Sequence, residues 1–590
     1  MDSYYNEIVD NVFTLKEHEG QSKVTSLEEA IERNVKPGMS LFISQEAGAA
    51  MCQILRQFWG TKPEFKLIIS STWGTHVANL VHAGLIRKLV FTNCSDFYPL
   101  PSPSKVIQAA YKRKAIELEN WSTLSFQLRL MAGALGTNFF PTKSIVGSTM
   151  ADDNSDSFVV IDNPFKNGEK IGLVKSLNPD IAIVHGWAAD CYGNTITNPY
   201  FLENSHWGAR ASTNGVIVTV ERIVSTEYIR QHSPSVRIAG HLVKSVSLVP
   251  FGAHPLSMHN HSLKDFDGYG QDDDFLIAYK ETNRDSDMLD RWIKDWVLDC
   301  IDQEDYLNKL GYSRILKLKG LVDQNVWKYN LQSVIDDISS SEGHGLNEMM
   351  IVAASRYIRR RVIETGCKII FGGIGVSGLA SWLAFYQLRS EGYDVDLVPA
   401  GIGFAPRPGD PFILNPTNIP TAKMFADPLE IHGAFASGAN NSCLGVLGVG
   451  QIDKYGNINS TKISDEVYLS GSGGGNDIAS GAREIAAVAY QSTERFVDNV
   501  SYITCPGKRI RALISNKGIF EKLEGDKEFT LTGYFSDNQF TAEEEIIKDI
   551  KNNCGWMLKV SSELEQISSP LFEELAILRL LDPDRHFRGS

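Results

Sequence analysis

The sequence predicts an α/β protein of two homologous open parallel-sheet domains packed as a pseudo-dimer. Three observations predict it. Apolar runs of strand length alternate with longer helical patterns, motifs from one half recur in the other, and 590 residues exceed what a single core supports.

In the first half the strand-like runs are KLIIS, KLVFT and IAIVHG; in the second they are KIIFGG, VDLVPAG and LGVLGVG. Short runs that are apolar throughout, spaced by helical stretches, read as buried parallel strands. In SLEEAIERN, Ser26 and Glu29 fit a capping box. GAAMCQILRQFW repeats its apolar residues at three- and four-residue steps, the spacing of one helix face. Between Asp265 and Gly345 the acidic clusters QDDD, NRDSD and DQED surround Trp292, Trp296 and Trp327 and give way to SSSEGHG. That composition predicts a helical connector with a solvated acidic face. The domains so drawn are 1–264 (α-like), 265–345 (connector) and 346–590 (β-like). Ile369 to Leu388 carries no charge and reaches the ~20 residues of a membrane span. Gly372, Gly373, Gly375 and Gly378 crowd its first half, so a strand, a tight turn and a helix are predicted instead.

The halves echo one another. IAIVHGWAADCYGNTIT carries Asp190, Tyr192, Gly193 and Asn194 after an apolar strand, and LGVLGVGQIDKYGNINST repeats them as Asp453, Tyr455, Gly456 and Asn457. Asp190 and Asp453 are read as turn residues whose carboxylates bond local backbone, not as catalysts. A second echo pairs SLFISQEAGAAMCQIL with KIIFGGIGVSGLASWLA, each a strand passing through small residues into a helix. Two echoes in the same order imply duplication.

Composition excludes several classes. Apolar residues at 43% and charged residues at 22% are globular values, which rules out disorder and collagen-like repeats. Lys and Arg total 57 against 71 Asp and Glu, and a net charge of −14 opposes nucleic acid as principal partner. Cysteines 52, 94, 191, 300, 367, 443, 505 and 554 form no Cys-x-x-Cys pair, which opposes a zinc knuckle and a dithiol redox site. The N-terminal MDSYYNEIVDNVF lacks the basic flank and apolar core of a secretory signal, so a cytoplasmic, non-membrane protein is expected.

Three glycine-rich loops follow predicted strands: FGGIGVSG (371–378), PAGIGFAPRPGD (399–410) and GSGGGNDIASGA (471–482). Such loops place backbone N–H groups and helix N-termini beside a cleft, where they stabilise phosphate or oxyanion charge. None is a Walker loop, and the first departs from Rossmann spacing.

The chain also resembles the class I coenzyme A transferases, with the α and β parts of the glutaconate CoA-transferase type fused. The first half does so through RKAIELENWSTLSFQLRLMAGALGTNFFP, PDIAIVHGWAADCYGN, VIVTVERIV and VPFGAHP. The second does so through FGGIGVSGLASWLA, CLGVLGVGQIDKYGNINST, SGSGGGNDIASGA and LRLLDPDR. The resemblance implies an acyl-CoA site in the cleft between the halves and a β-part glutamate that attacks the thioester. Here VDLVPAGIGFAPRP sets Pro399, or with a one-residue shift Ala400, at that position. Relatives lacking the glutamate include a steroid-ring-opening hydrolase that works with an α-part glutamate and a decarboxylase that works with a β-part cysteine. Hydrolase or decarboxylase/lyase chemistry on an acyl-CoA or acyl-pantetheine thioester is therefore expected. The alternatives are a true transferase using another carboxylate and a non-catalytic thioester-binding protein.

Glu119, between an apolar strand and a helix, stands about where the α-part acid is implied and is the candidate general base, with Glu117 in reserve. Gly372, Gly373, Gly375, Gly401, Gly403, Gly473, Gly474 and Asn476 are the residues expected to face the thioester and CoA. Glu46 in SQEAG is expected to favour the following helix N-terminus. His254, His259 and His261 have ligand-like spacing but no acidic or cysteine neighbour, so no metal is assigned. Arg407 and Lys423 are read either as CoA-phosphate contacts or as surface residues. No permanent cofactor is expected. The expected partners are a small-molecule acyl thioester, or an acyl group on a carrier protein, and a second copy in a homodimer.

Overall fold

The computed structural model describes residues 2–13, 20–96, 100–198, 205–260, 263–339, 343–399, 403–408, 418–536 and 542–589. Two mixed sheets organise them. The first has nine strands, and its central path runs Val236–Ile238, Thr195–Thr197, Ile181–Ala189, Ser40–Ile43, Phe65–Ile68, Ile86–Phe91, Glu117–Asn120. Val216–Ile223 also pairs with Ile181–Ala189, and Val243–Leu248 pairs with Val216–Ile223. From Ile181–Ala189 out to Glu117–Asn120 every neighbour is parallel, as the uniformly apolar runs require.

The second sheet has eight strands in the order Asp396–Pro399, Ile369–Gly372, Cys443–Gly448, Glu484–Ala489, Ile510–Ser515, Gly518–Glu521, Thr530–Tyr534, Lys559–Gln566. Its first five are parallel. Helices cover both sheets. Leu346–Thr365 and Val376–Ser390 seal the second through Ile351, Ile358, Leu379 and Leu383, and Gly48–Phe58 seals the first through Met51, Ile54 and Leu55. The uncharged stretch from Ile369 is a four-residue strand, a turn and the 15-residue helix Val376–Ser390. Among the described residues no helix is long and apolar enough to cross a membrane.

Ser26 Oγ accepts from Glu29 N at 3.2 Å, half of the predicted capping box. The Glu29 carboxylate instead takes Thr25 and Arg33, so the reciprocal bond gives way to a hydroxyl and a cation. From Asp273–Thr282 to Val326–Ser339 the chain is helical, and Trp292 and Trp296 turn inward. They stack edge-on against Phe275, beside Tyr306 and His254.

The repeated turn is duplicated atom for atom. Asp190 Oδ1 accepts from Tyr192 N (3.1 Å) and Asn194 N (2.9 Å), and its Oδ2 accepts from Asn194 Nδ2 (2.8 Å). Asp453 Oδ1 accepts from Tyr455 N (3.0 Å) and Asn457 N (2.9 Å), and its Oδ2 from Asn457 Nδ2 (3.0 Å). Each asparagine then accepts a glycine N–H at 2.9 Å, Gly240 for Asn194 and Gly507 for Asn457. Removing either carboxylate strands several buried N–H groups. Asp190→Ala and Asp453→Ala are each expected to cost about 2–4 kcal/mol of stability, read as an earlier midpoint in chemical denaturation.

Candidate functional site

The C-terminal ends of strands from both sheets meet across a cavity of about 750 Å³. Its first wall carries Ser70 and Ser71 beyond Phe65–Ile68, Thr92 and Asn93 beyond Ile86–Phe91, and Thr123 beyond Glu117–Asn120. The facing wall is the turn after Ile369–Gly372, the segment leaving Cys443–Gly448, and the loop Gly471 to Gly475. In open α/β sheets such a crevice is where ligands bind.

The turn at Gly372 to Gly375 is shaped by contacts that only glycine allows. A Cβ at Gly373 falls 2.8 Å from Val446 O, so the two backbones approach too closely for any side chain. Gly375 has φ +74° and caps the helix Val376–Ser390. The open N-terminus of that helix offers the cavity N–H groups and the positive end of its dipole.

The second glycine loop does different work. Gly473 N donates to Thr92 O (2.8 Å), Thr123 N to Gly473 O (3.0 Å) and Ser472 N to Asn120 Oδ1 (3.1 Å). Asn476 Oδ1 accepts from Ile145 N at 2.7 Å, and its Nδ2 donates to Thr504 O at 2.7 Å. Asp477 Oδ2 accepts from Leu124 N (2.9 Å) at the start of helix Thr123–Ala134, capping a helix of the other half. Burial nevertheless pushes the Asp477 carboxyl up to about 6, outweighing its bonds to Ser122, Leu124 and Ser144.

Of the expected site residues, Gly372, Gly373, Gly375, Gly473 and Gly474 come together on the cavity. Asn476 does not line it, because both ends of its amide are spent, one of them joining the halves. Gly403 forms a two-residue ribbon with Met424–Phe425 away from the lining, and Gly401 lies outside the described residues. Pro399 closes the edge strand directly beside Gly372. Ala400 is outside the described residues.

Glu119 does not have the surroundings of a general base. It is not in the cavity lining: its Oε1 accepts from Arg129 Nη1 (2.7 Å) and Trp121 Nε1 (2.8 Å), and its Oε2 meets Lys88 Nζ at 2.8 Å. Arg129 stacks on Trp121 with its guanidinium carbon 4.2 Å from the ring. Burial opposes ionisation here, but the Arg129 and Lys88 charges win and hold the carboxyl at about 2. A carboxylate held that strongly accepts no proton near neutral pH. Glu117 is exposed and paired with Lys88 at 2.5 Å, so the reserve candidate is a surface acid.

Glu46 is buried against Ser44, Asn198 and His185, and burial raises its pKa. Its side chain is therefore part of the first-half core, not a simple helix-end charge. His254 spends both ring nitrogens on Tyr306 Oη (2.6 Å) and Asp272 (2.9 Å), and His259 Nε2 meets Ser257 Oγ at 2.9 Å. His261 lies outside the described residues. Among the described residues no group of three or more His, Cys, Asp or Glu is placed to hold a metal. Lys423 pairs with Asp396 at 2.5 Å and Arg407 lies over Trp327; neither lines the cavity.

The cavity adds residues that sequence reasoning missed. His432 is buried on its wall, and burial lowers its pKa to about 4, so the ring is neutral at physiological pH. Its Nδ1 has no hydrogen-bond partner among the described residues. Cys505 also lines the wall, and burial beside Asp477 pushes its thiol far up, away from the reactive thiolate. Glu494 and Arg495 sit exposed at the rim. Ser70 and Ser71 follow a predicted strand directly, the position that marks crevice residues. His432 belongs to a π-helical turn, Leu429–Phe435, and no periodic pattern announces it.

Comparison with known proteins agrees with this architecture. The family model for coenzyme A transferase matches residues 24–248. One subunit of the glutaconate CoA-transferase from Acidaminococcus fermentans is 28% identical over 50% of this chain and 95% of its own length. One subunit of the 3-oxoadipate CoA-transferase from Pseudomonas knackmussii is 29% identical over 40% of this chain and 94% of its own length. An acyl-CoA transferase from E. coli O157:H7, crystallised as a thioester complex with CoA, covers 95% of this chain and 96% of its own at 14% identity with a TM-score of 0.61, and so shares the fold.

Two stability predictions follow from the buried carboxyls. Glu119→Gln strands the Arg129 charge and is expected to cost about 3 kcal/mol at pH 7. Because the folded state depresses this pKa, the Glu119 contribution is present above pH 4.5 and fades as pH falls toward 2, so wild type and variant melting curves should converge in acid. Asp477 has the opposite sign: its raised pKa contributes fully below pH 3.8 and is lost by about 6. Asp477→Asn is therefore expected to melt above wild type at pH 7.5, by about 1–3 kcal/mol, with the gain vanishing near pH 4.

Proposed function

We propose that the chain is a coenzyme A transferase family member with counterparts of two kinds of subunit in one polypeptide, and that it breaks down an acyl-CoA thioester without a carboxylate nucleophile. The single observation carrying this reading is the strand end beside Gly372. The nucleophilic glutamate is expected there, and Pro399 occupies the place, paired in register with cavity-lining Gly372. Proline cannot form the acyl anhydride on which transfer depends.

What the wall retains is suited to polarising a carbonyl. The turn at Gly372 to Gly375 and the N-terminus of Val376–Ser390 border the cavity, in reach of an oxyanion or enolate oxygen. The buried imidazole of the lining, His432, is neutral and supports a bound thioester as a hydrogen-bonding group without competing for its charge. Such a site serves hydrolysis by water or loss of carbon dioxide from a thioester that carries its carboxylate on the carbon next to the thioester carbonyl, since both pass through charge on the thioester oxygen. The CoA thioester is the substrate form taken here; a carrier-protein pantetheine thioester presents the same reacting atoms.

Two measurements check the proposal. With a panel of acyl-CoA substrates and no acceptor acid, the protein is expected to release free CoA thiol or carbon dioxide, and borohydride is expected to trap no glutamyl adduct. A trapped enzyme-CoA thioester, or turnover only when a second carboxylic acid is supplied, restores the transferase reading. Gly373→Ala forces its turn away from Val446 O. It is expected to lower kcat/KM by about 100-fold, as misplacements of an ångström do, while a binding assay with CoA alone changes far less.

A further inference from the structure

The segment from Asp582 to Arg588, beyond the helix Phe572–Leu581, comes back to the cavity and meets the turn at Gly375. A Cβ on Gly375 would fall 2.9 Å from Phe587 Cε1 and 3.0 Å from its Cδ1, so the edge of the phenyl ring lies on the bare Cα of the turn. Gly375 sits at φ +74° and ψ −133°, a conformation that residues with side chains rarely adopt. Glycine also has the widest backbone range of any residue, so its own preferences hold it there weakly. A constraint has to come from a neighbour.

The segment that carries Phe587 is itself fixed from several directions. Asp582 Oδ1 accepts from His586 N (3.0 Å), and its Oδ2 accepts from Phe587 N and Arg588 N (each 2.9 Å). Arg588 Nε returns to Asp582 O at 2.9 Å, and Arg588 Nη1 donates to Glu348 Oε1 at 3.1 Å, tying the segment to the helix Leu346–Thr365. Tyr490 Oη donates to Phe587 O at 2.9 Å. Glu348, Asp582, Phe587 and Arg588 are all buried, where breaking one such bond strands its partner. Phe587 packs into the second-half core, yet both it and Tyr490 also line the cavity.

We propose that Phe587 is a positioning residue for the carbonyl-binding turn. Clamped by Asp582 and Tyr490, its ring holds Gly375 so that the N–H groups of the turn and of the helix Val376–Ser390 stay aimed at the cavity. This role rests on the reading of that turn as the site of the thioester oxygen. Donors stabilise developing charge best when they need no rearrangement at the moment of reaction, so a turn built of glycines works better against a rigid neighbour. Core filling alone requires neither the contact with Gly375 nor a place on the cavity wall.

Amide exchange and kinetics on the full chain test this. Leu379 N donates to Gly375 O at 2.9 Å, at the start of the helix, and its amide is the reporter. Phe587→Ala is expected to speed Leu379 exchange by at least about tenfold, while amides of the strands Cys443–Gly448 and Glu484–Ala489 keep their protection. With an acyl-CoA thioester that wild type turns over, the same variant is expected to lower kcat by about tenfold and leave KM within about twofold. Phe587→Leu, which refills the space over Gly375, is expected to restore both readouts. Tyr490→Phe deletes only the bond to Phe587 O and is expected to speed Leu379 exchange by about threefold, which decides the matter where Phe587→Ala does not fold. Unchanged Leu379 exchange overturns the proposal, as does equal loosening of the strands, or a kcat that stays at the wild-type value while the turn is loose. A wild type that turns over no acyl-CoA thioester defeats the thioester reading, whereas exchange still decides whether Phe587 holds the turn.

Discussion

The site depends on a set of backbone hydrogen bonds between two halves that the chain makes in separate places. Gly473 and Thr92 share one such bond, Thr123 and Gly473 another, and Ser472 reaches the Asn120 side chain. Asn476 and Asp477 continue the seam to Ile145 and Leu124. Each bond alone is worth about a kilocalorie per mole. Together they fix the spacing of two rigid sheets, and hence the width of the crevice between their strand ends. A loop of small residues is needed here because a Cβ at Gly471 falls 2.7 Å from Thr92 O and 2.6 Å from Asn120 Nδ2.

Environment, not residue type, divides the acids of this protein among their tasks. Glu119 and Asp477 both lie close to the N-terminus of helix Thr123–Ala134 and are both largely buried, yet they are driven in opposite directions. Two cations surround Glu119, so it is a fixed anion that neutralises Arg129. Asp477 has only dipoles around it and is closer to a neutral acid. Neither is free for proton transfer in the cavity. What the inner wall presents is amide groups, hydroxyls and the neutral His432 imidazole, with the charges of Glu494 and Arg495 at the rim.

Much of the scaffold was legible in the residues. Runs such as KLVFT and IAIVHG became parallel strands because nothing but burial on both faces suits them. The repeated Asp-x-Tyr-Gly-Asn gave the same turn twice because its bonds are local, within four residues of the aspartate. Glycines 372, 373 and 375 marked a tight turn for the same reason. Glu119 was misread because its partners are distant: Lys88 lies on the neighbouring strand and Arg129 ten residues on, and sequence spacing does not show which side chains converge. Asn476 looked like a ligand contact and proved to be a strut between halves for a similar reason.

The sequence by itself determined the α/β class, the duplication and the turns, since these rest on periodicity and on bonds between near neighbours. The tertiary structure decided which polar residues face the crevice and which acid is locked in an ion pair. Those outcomes turn on packing between segments that sequence spacing alone does not bring together, where burial and charge pairing set what each side chain can do.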